Sequence, residues 1–201
     1  MIALPNVVAP PRLSEEDYFR HEESADYRSE YRDGEIVAMA GATANHNRIV
    51  LNIAAALNRQ KGSKRCEAFA TDLRLFVKRH RFYTYPDVMV ICGRLQFAPG
   101  RMDTVTNPVL IVEVLSPSTE AYDRGRKFEF YRSLESLQEY VLVDQDRFLV
   151  EHYRRREDGT WLLTTCERPD DILHLPALGV DLPLTVIYER VEWGEDANTD
   201  L

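Results

Sequence analysis

Val109 to Leu115 is apolar at every position except Glu113, and that run limits the fold more than any other stretch of the chain. A short, β-rich run of this kind is a central strand covered on both faces. Burying a carboxylate at its middle costs several kcal/mol without a partner, or leaves the acid protonated. Glu113 therefore requires a metal ion, a cation or a set of donors beside it. Ser116-Pro117-Ser118-Thr119 ends the strand and supplies hydroxyl caps for a helix through about Glu135. On that helix Lys127, Phe130, Tyr131 and Leu134 fall at i, i+3, i+4 and i+7, which puts Lys127 on the apolar stripe. Acid and amine are expected to point into one enclosed space.

The rest of the chain supplies walls for that space. Ser14 starts a short helix, and Tyr27 to Met39 forms a hairpin turning at Asp33-Gly34. Asn45 to Gln60 is a helix with His46, Ile49, Val50, Ile53, Ala54 and Leu57 on one face. Glu67 to Lys78 and Tyr83 to Ile91 are paired strands around a basic tip. Glu139 to Val143 is a second short apolar strand, so strand, helix, strand makes a right-handed parallel crossover. Phe148 to Arg154 and Thr160 to Cys166 pair across Asp158-Gly159, and Ile172 to Leu184 is a Pro-rich edge segment. The expected fold is α/β, a mixed central sheet flanked by helices with additional antiparallel hairpins. Its boundaries are an N-terminal arm over 1–13, one domain over 14–192 and an acidic, disordered tail over 193–201.

Composition narrows the partners. No apolar run approaches the roughly 20 residues that span a bilayer, so no membrane role is expected. The formal net charge of -8 excludes a protein that coats nucleic acid with its whole surface. Basic clusters do occur at Arg59, Lys61, Lys64 and Arg65, at Lys78, Arg79, His80 and Arg81, and at Arg154, Arg155 and Arg156; the plain account of each is a solvated helix end or hairpin tip. Cys66, Cys92 and Cys166 form neither a CxxC motif nor a disulfide framework, which points to a reducing, cytoplasmic setting.

The chemically informative pair is Asp87, in Pro86-Asp87 before the strand VMVI, and Glu113 within the next strong strand. Two carboxylates on adjacent strands can converge on one divalent cation, and hard oxygen ligands suit Mg²⁺ or Mn²⁺ with water and phosphate completing the shell. A lysine beside such a metal can orient the attacking water and balance charge on phosphorus. Each residue alone has a structural account. Pro-Asp is a common turn, a buried glutamate can simply pair with Lys127, and Asp123 to Lys127 is an ordinary i, i+4 helix pair.

Pro86-Asp87 followed by Glu113-Val114-Leu115 resembles the PD-(D/E)XK nuclease pattern, and the wider sequence is similar to the Uma-two family of restriction-endonuclease-like proteins. The matching pieces run in order: EYRDGE from Glu30, the Asn45-His46-Asn47 helix start, TDLRL from Thr71, YPDVMV from Tyr85, EVLSPST from Glu113, DRGRKFEFY from Asp123 and EYVLVD from Glu139. The resemblance implies a restriction-endonuclease-like core and metal-dependent cleavage of DNA. It makes Asp87 and Glu113 metal ligands, with the Val114 carbonyl as a third. Leu115 stands where the superfamily pattern has lysine, and Lys127 is the expected replacement. His46 becomes an active-site residue that could contact water or phosphate, against its simpler role as a capped first-turn histidine. Glu30 could add a third acid, although its place before a hairpin turn makes it solvent-facing by default. Asp72 is either a strand-edge charge or a site member, and Tyr131 packs with its hydroxyl reaching Glu113 or Lys127.

Two functions follow. One is a Mg²⁺-dependent DNA endonuclease; the other is a catalytically inactive, dimeric binding protein of the same fold whose buried acids and lysine satisfy one another. The Pro-punctuated arm, the exposed hairpin over 148–166 and a fold class that cuts duplexes suggest a homodimer in either case.

Overall fold

A computed structural model of the protein describes residues 12–59, 65–70 and 72–193. The arm over 1–11, the tail from 194, Gln60, Lys61, Lys64 and Thr71 lie outside the described residues. Helix α1 (Glu15–Ser24) is opened by a reciprocal cap in which the Ser14 hydroxyl and the Asp17 carboxylate each accept the other's backbone N–H. Strands β1 (Ser29–Arg32) and β2 (Glu35–Ala38) form the expected hairpin, its turn carried by Asp33 and Gly34 at φ 44° and 105°. A Cβ on Gly34 would lie 2.6 Å from Arg12 Cβ, so the turn requires glycine for space as well as for conformation.

Helix α2 (Ala44–Arg59) leads to β3 (Cys66–Ala70), β4 (Arg74–Val77), β5 (Phe82–Thr84), β6 (Val88–Cys92), β7 (Thr104–Val105) and β8 (Leu110–Leu115). A helix over 120–131, termed the site helix, then crosses to β9 (Glu139–Asp144), β10 (Val150–Arg155) and β11 (Trp161–Cys166). Strands β12 (Ile172–Leu175) and β13 (Val180–Pro183) form a separate hairpin before the helical turn Leu184–Ile187. The main sheet has the order β11-β10-β9-β8-β6-β3, with β8 parallel to β9 and antiparallel to β6. This is the mixed sheet expected from the sequence, including the parallel crossover through the site helix.

A second sheet, β2-β1-β5-β4-β7, was not expected as such. The two long strands expected over 67–78 and 83–91 are each divided between the sheets. They still pair with each other, β4 with β5 and β3 with β6. The break in the second arm falls at Pro86, which has no N–H to give a ladder. Because of this division the second sheet can close over the site.

Strand β8 is buried at all six positions. Leu110, Val112 and Val114 face α2, where Ile49, Ile53 and Leu57 pack with Val88, Val90 and Val141. Ile111 and Leu115 face the site helix with Phe130, Tyr131, Tyr140 and Leu142. Glu113 shares that second face by the same alternation.

The cysteine expectation is overturned. Cys66 and Cys92 are directly opposed partners of the antiparallel β3-β6 pair and form a disulfide, with Cα atoms 3.9 Å apart. Their separation along the chain carried no sign of this, because register rather than spacing brought them together. The inference to a reducing compartment loses its basis. Among the described residues no helix is long and apolar enough to cross a membrane.

Between the second sheet and α1 lies a buried polar cluster. Arg74 Nε donates to Tyr85 Oη at 2.9 Å, Arg74 Nη2 lies 3.4 Å from Glu22 Oε2, and the Ser29 N–H donates to Glu22 Oε1 at 2.7 Å. Removing one charge from a buried pair leaves the other uncompensated, which typically costs about 3–5 kcal/mol. Arg74→Ala should therefore lower the unfolding free energy extrapolated from urea denaturation by that order, and Glu22→Gln/Arg74→Met should recover part of the loss. Equal destabilisation in both variants would show that the pair's charges are not the cause.

Candidate active site

The walls of the site come from five elements. Thr43 caps α2, its hydroxyl accepting the His46 N–H at 3.1 Å, and so fixes the histidine at the helix mouth. Asp87 precedes β6, Glu113 lies in β8, and Glu30 reaches across from β1. The site helix contributes Asp123 and Lys127 from a π-helical stretch, Asp123–Lys127, set between the α turns Glu120–Tyr122 and Phe128–Tyr131. That wide turn keeps both residues on the inner face, each almost fully buried. A cavity of about 660 Å³ is lined by Glu30, His46, Asp87, Glu113, Asp123 and Lys127 among others.

Lys127 Nζ lies 3.0 Å from Glu113 Oε1, 3.1 Å from Asp123 Oδ1 and 3.6 Å from Glu30 Oε1. The Tyr131 hydroxyl donates to Glu113 Oε1 at 2.7 Å, and the Asp87 N–H donates to Glu113 Oε2 at 3.3 Å. Asp87 is locked to the same strand, since its Oδ2 accepts the Val114 N–H at 2.8 Å. His46 Nε2 stands 3.2 Å from that oxygen, while the buried His46 Nδ1 has no hydrogen-bond partner among the described residues. Glu30 is held by the Thr84 hydroxyl at 2.7 Å and by Arg32 Nε at 3.0 Å, and the Arg32 guanidinium lies 3.9 Å over the Tyr122 ring.

Charge in this cavity is unbalanced. Burial pushes the Glu113 carboxyl well above the ordinary carboxylate range; Lys127 opposes the rise, and Asp87 and Asp123 add to it. Asp123 is raised as well, again by burial first. Burial alone would also discharge Lys127, yet Glu113, Glu30 and Asp123 outweigh it and hold the ammonium well above the usual lysine value. The Glu113 and Asp123 shifts share one cause, burial of acids close to other acids, whereas at Glu30 burial is outweighed by Lys127 and Arg32, which hold its carboxyl below the ordinary range.

Most of the site residues named from the sequence come together here. Glu113, Lys127, Tyr131, Asp87, His46 and Val114 all contact one another or line the cavity. Glu30 corrects its default: it is buried rather than solvent-facing, because β1 belongs to a sheet that covers the site. Asp72 is corrected the other way. Its side chain is 75% exposed and pairs with Arg28 at 3.3 Å, away from the cavity. Asp123 was missed as a site residue, although its four-residue offset from an inward lysine was a usable signal. Tyr122 and Arg32 gave no signal, since their roles depend on how the two sheets meet.

Asp87→Asn keeps an acceptor for the Val114 N–H and removes one negative charge facing Glu113. A carboxyl raised on folding takes up protons, so its contribution to stability is lost as pH climbs from the unfolded carboxylate range toward the folded value. In EDTA the melting temperature of Asp87→Asn should thus exceed that of wild type, by about 1 kcal/mol or a few degrees, and by more near pH 8 than near pH 6. A difference that shrinks with rising pH would refute the charge-crowding account.

Residues 15–186 match the model of the Uma2 family, whose description is "Putative restriction endonuclease". The uncharacterized protein sll1609 of Synechocystis sp. (strain ATCC 27184 / PCC 6803 / Kazusa) is 45% identical over 152 residues, covering 76% of this chain and 86% of its own. The uncharacterized protein slr1290 of the same organism is 37% identical over 178 residues, covering 89% and 92%. The crystal structure of a putative nuclease belonging to DUF820 from Anabaena variabilis ATCC 29413 superposes with a TM-score of 0.71 at 20% identity, over 89% of this chain and 98% of that one. That likeness establishes the shared fold.

Proposed function

The chain belongs to the Uma2 family of putative restriction endonucleases, and from that premise we propose that the cavity over β8 is a metal-dependent phosphodiesterase site acting on DNA. One observation carries the reading. The Lys127 ammonium reaches Glu113 at 3.0 Å inside the cavity that Asp87 also lines, so the amine absent from Leu115 is delivered by the following helix.

The donor set fits a hard divalent cation. Among the described residues no group of three His, Cys, Asp and Glu side chains is placed to hold a metal ion, so a hard cation such as Mg²⁺ or Mn²⁺ would take two carboxylates here and draw its other ligands from water and phosphate. Asp87 and Glu113 would hold it, with the Val114 carbonyl as third ligand, and the excess negative charge of the cavity favours such an ion. When bound, the ion supplies Lewis-acid charge to the phosphate and acidifies a coordinated water. Lys127 would orient an attacking water and offset charge on the phosphoryl oxygens. His46 holds the Asp87 carboxylate, and Tyr131 holds Glu113 against rotation.

Purified protein should nick plasmid DNA with Mg²⁺ or Mn²⁺, stop in EDTA, and cleave little with Ca²⁺, whose larger shell places water poorly. Lys127→Ala should reduce the rate by about 10²-fold or more while keeping metal-linked thermal stabilisation. Asp87→Ala and Glu113→Ala should lose both. The competing reading, a non-catalytic binding protein, is favoured by the full engagement of Glu113 with Lys127, Tyr131 and the Asp87 N–H. Wild type that shows neither nicking nor stabilisation by metal would establish it.

The same proposal includes a two-fold homodimer. Strand β11 is an open edge of the main sheet, and its sequence WLLTTC has no charge to deter pairing, whereas on the opposite edge strand Asn58 satisfies both the N–H and the carbonyl of Ala68. Light scattering at micromolar concentration should give the dimer mass, and Leu163→Lys should give the monomer. A monomeric wild type would end that part of the reading.

A further inference from the structure

Two basic clusters that are far apart in sequence meet at the end of the site helix opposite its Ser-Pro cap. Arg79 and His80, from the turn after β4, and Arg155, from the tip of the β10-β11 hairpin, line a groove of about 510 Å³ with Arg132 and Trp161. A neighbouring groove shares Arg79 and adds Lys78. Arg126 stands beside them, its guanidinium 5.4 Å from the centre of the Phe130 ring on which His80 stacks at 4.4 Å. Arg155 lies 5.0 Å over Trp161 and donates to the helix-end carbonyls of Leu134 at 3.0 Å, Glu135 at 3.3 Å, and Arg132.

Elsewhere many arginines are neutralised, although among the described residues Arg59, Arg65, Arg94, Arg154 and Arg156 also have no carboxylate within ion-pair distance. Arg20, Arg28, Arg48, Arg81, Arg101, Arg124, Arg147 and Arg168 each have a carboxylate within ion-pair distance. Among the described residues Lys78, Arg79, Arg126, Arg132 and Arg155 have none within that distance, and the carboxylates lining the two grooves are Glu129 and Glu135. A chain of net charge -8 thus keeps a local cationic surface.

We infer that this surface docks a nucleic-acid backbone, engaging phosphates of a duplex whose scissile strand enters the cavity. The inference rests on the nuclease reading for its choice of polyanion. Guanidinium groups match phosphate oxygens bidentately, and that of Arg126 is oriented in advance by the Phe130 ring, while Arg155, its donors engaged by the helix-end carbonyls, adds positive charge beside them. Lys127 and Arg132 are five residues apart, or about 7.5 Å at 1.5 Å per helical residue. That axial offset is short on the scale of a duplex, which carries roughly four or five phosphate charges over it, but five residues also turn about 140° around the helix, so a duplex reaching both places has to pass across the helix end. A lipid surface fits less well. None of the exposed large hydrophobic side chains lines either groove, so nothing there would enter acyl chains.

The test is fluorescence anisotropy with a labelled blunt duplex of about 20 base pairs in EDTA, where cleavage cannot occur, across a salt series. Arg79→Glu/Arg132→Glu should weaken binding at least tenfold near 0.1 M salt and reduce the salt slope by about two, one for each phosphate that is no longer neutralised. Arg79→Gln/Arg132→Gln should fall between. A charge-matched control, Arg20→Glu/Arg190→Glu, should bind within about twofold of wild type if local contacts rather than net charge dominate. Unchanged binding by the first variant, an equal loss in the control, or no duplex binding by wild type at low salt would overturn the inference. Binding to phosphatidylserine vesicles that needs the same arginines, with no duplex binding, would assign the surface to lipid instead and count against it. Asp87→Asn/Glu113→Gln, run beside them, should bind DNA at least as tightly as wild type, because it removes acidic charge from the cavity. If it does while wild type never nicks, the docking surface stands and the catalytic reading alone falls.

Discussion

The ion pair of Glu113 and Lys127 is what the remainder of this structure has to accommodate. A carboxylate in a strand buried at all six positions cannot be hydrated, and at 3.0 Å the ammonium is its principal compensation. That requirement fixes where the site helix lies, since its inner face must bring Lys127 over β8 while Phe130 and Tyr131 fill the apolar space beside it. It also explains the company the pair keeps. Tyr131 donates to the carboxylate, Asp123 takes a second direction of the ammonium, and Glu30 stands off at 3.6 Å. A simple structural salt bridge needs one acid for one amine. Here four acids crowd one lysine and the Arg32 bound to Glu30, an arrangement unfavourable for stability alone and suited to receiving further positive charge.

Charge is thus sorted rather than averaged across the molecule. Negative charge is concentrated in the cavity, and unpaired positive charge lies at the other end of the same helix. A polyanion brought near an acidic cavity is repelled unless something else holds it, and a divalent cation at the cavity together with arginines beside it would reverse that repulsion. The helix joins the two places, so its packing on Tyr140 and Leu142 governs both.

What could be seen in the sequence was whatever one element determines by itself. The period of β8, the Ser-Pro stop and the inward lysine each belong to a single stretch, and each is found where the residues put it. Pairing between stretches was harder. The bends at Asp72 and Pro86 move strands between sheets, and this reversed the fates of two acids: Glu30 became buried and Asp72 remained in solvent. The Cys66–Cys92 bond failed for the same reason, because a cross-strand partner is set by register and no local pattern records it. Asp123 was hidden differently. As an i, i+4 partner of lysine it reads as an ordinary helix pair, and only its burial beside Glu113 gives it another meaning.

Holding the Glu113 partner on a helix rather than on its own strand has a structural consequence. At Leu115 a lysine would share the face of Glu113 two residues along one backbone, and the strand itself would set their spacing. On the site helix the spacing depends on a separate element, held by the stacking of Phe128 on Tyr140 and by the Tyr140 hydroxyl bonded to the Asp123 carbonyl at 3.0 Å. That bond fastens the π-helical stretch to β9, the strand parallel to β8, so acid and amine are referred to one sheet after all. Leu115 is then free to join the apolar contacts under the helix. The aromatic layer between helix and sheet therefore does for this site what direct succession along a strand would do otherwise: it keeps the distance between acid and amine constant through packing.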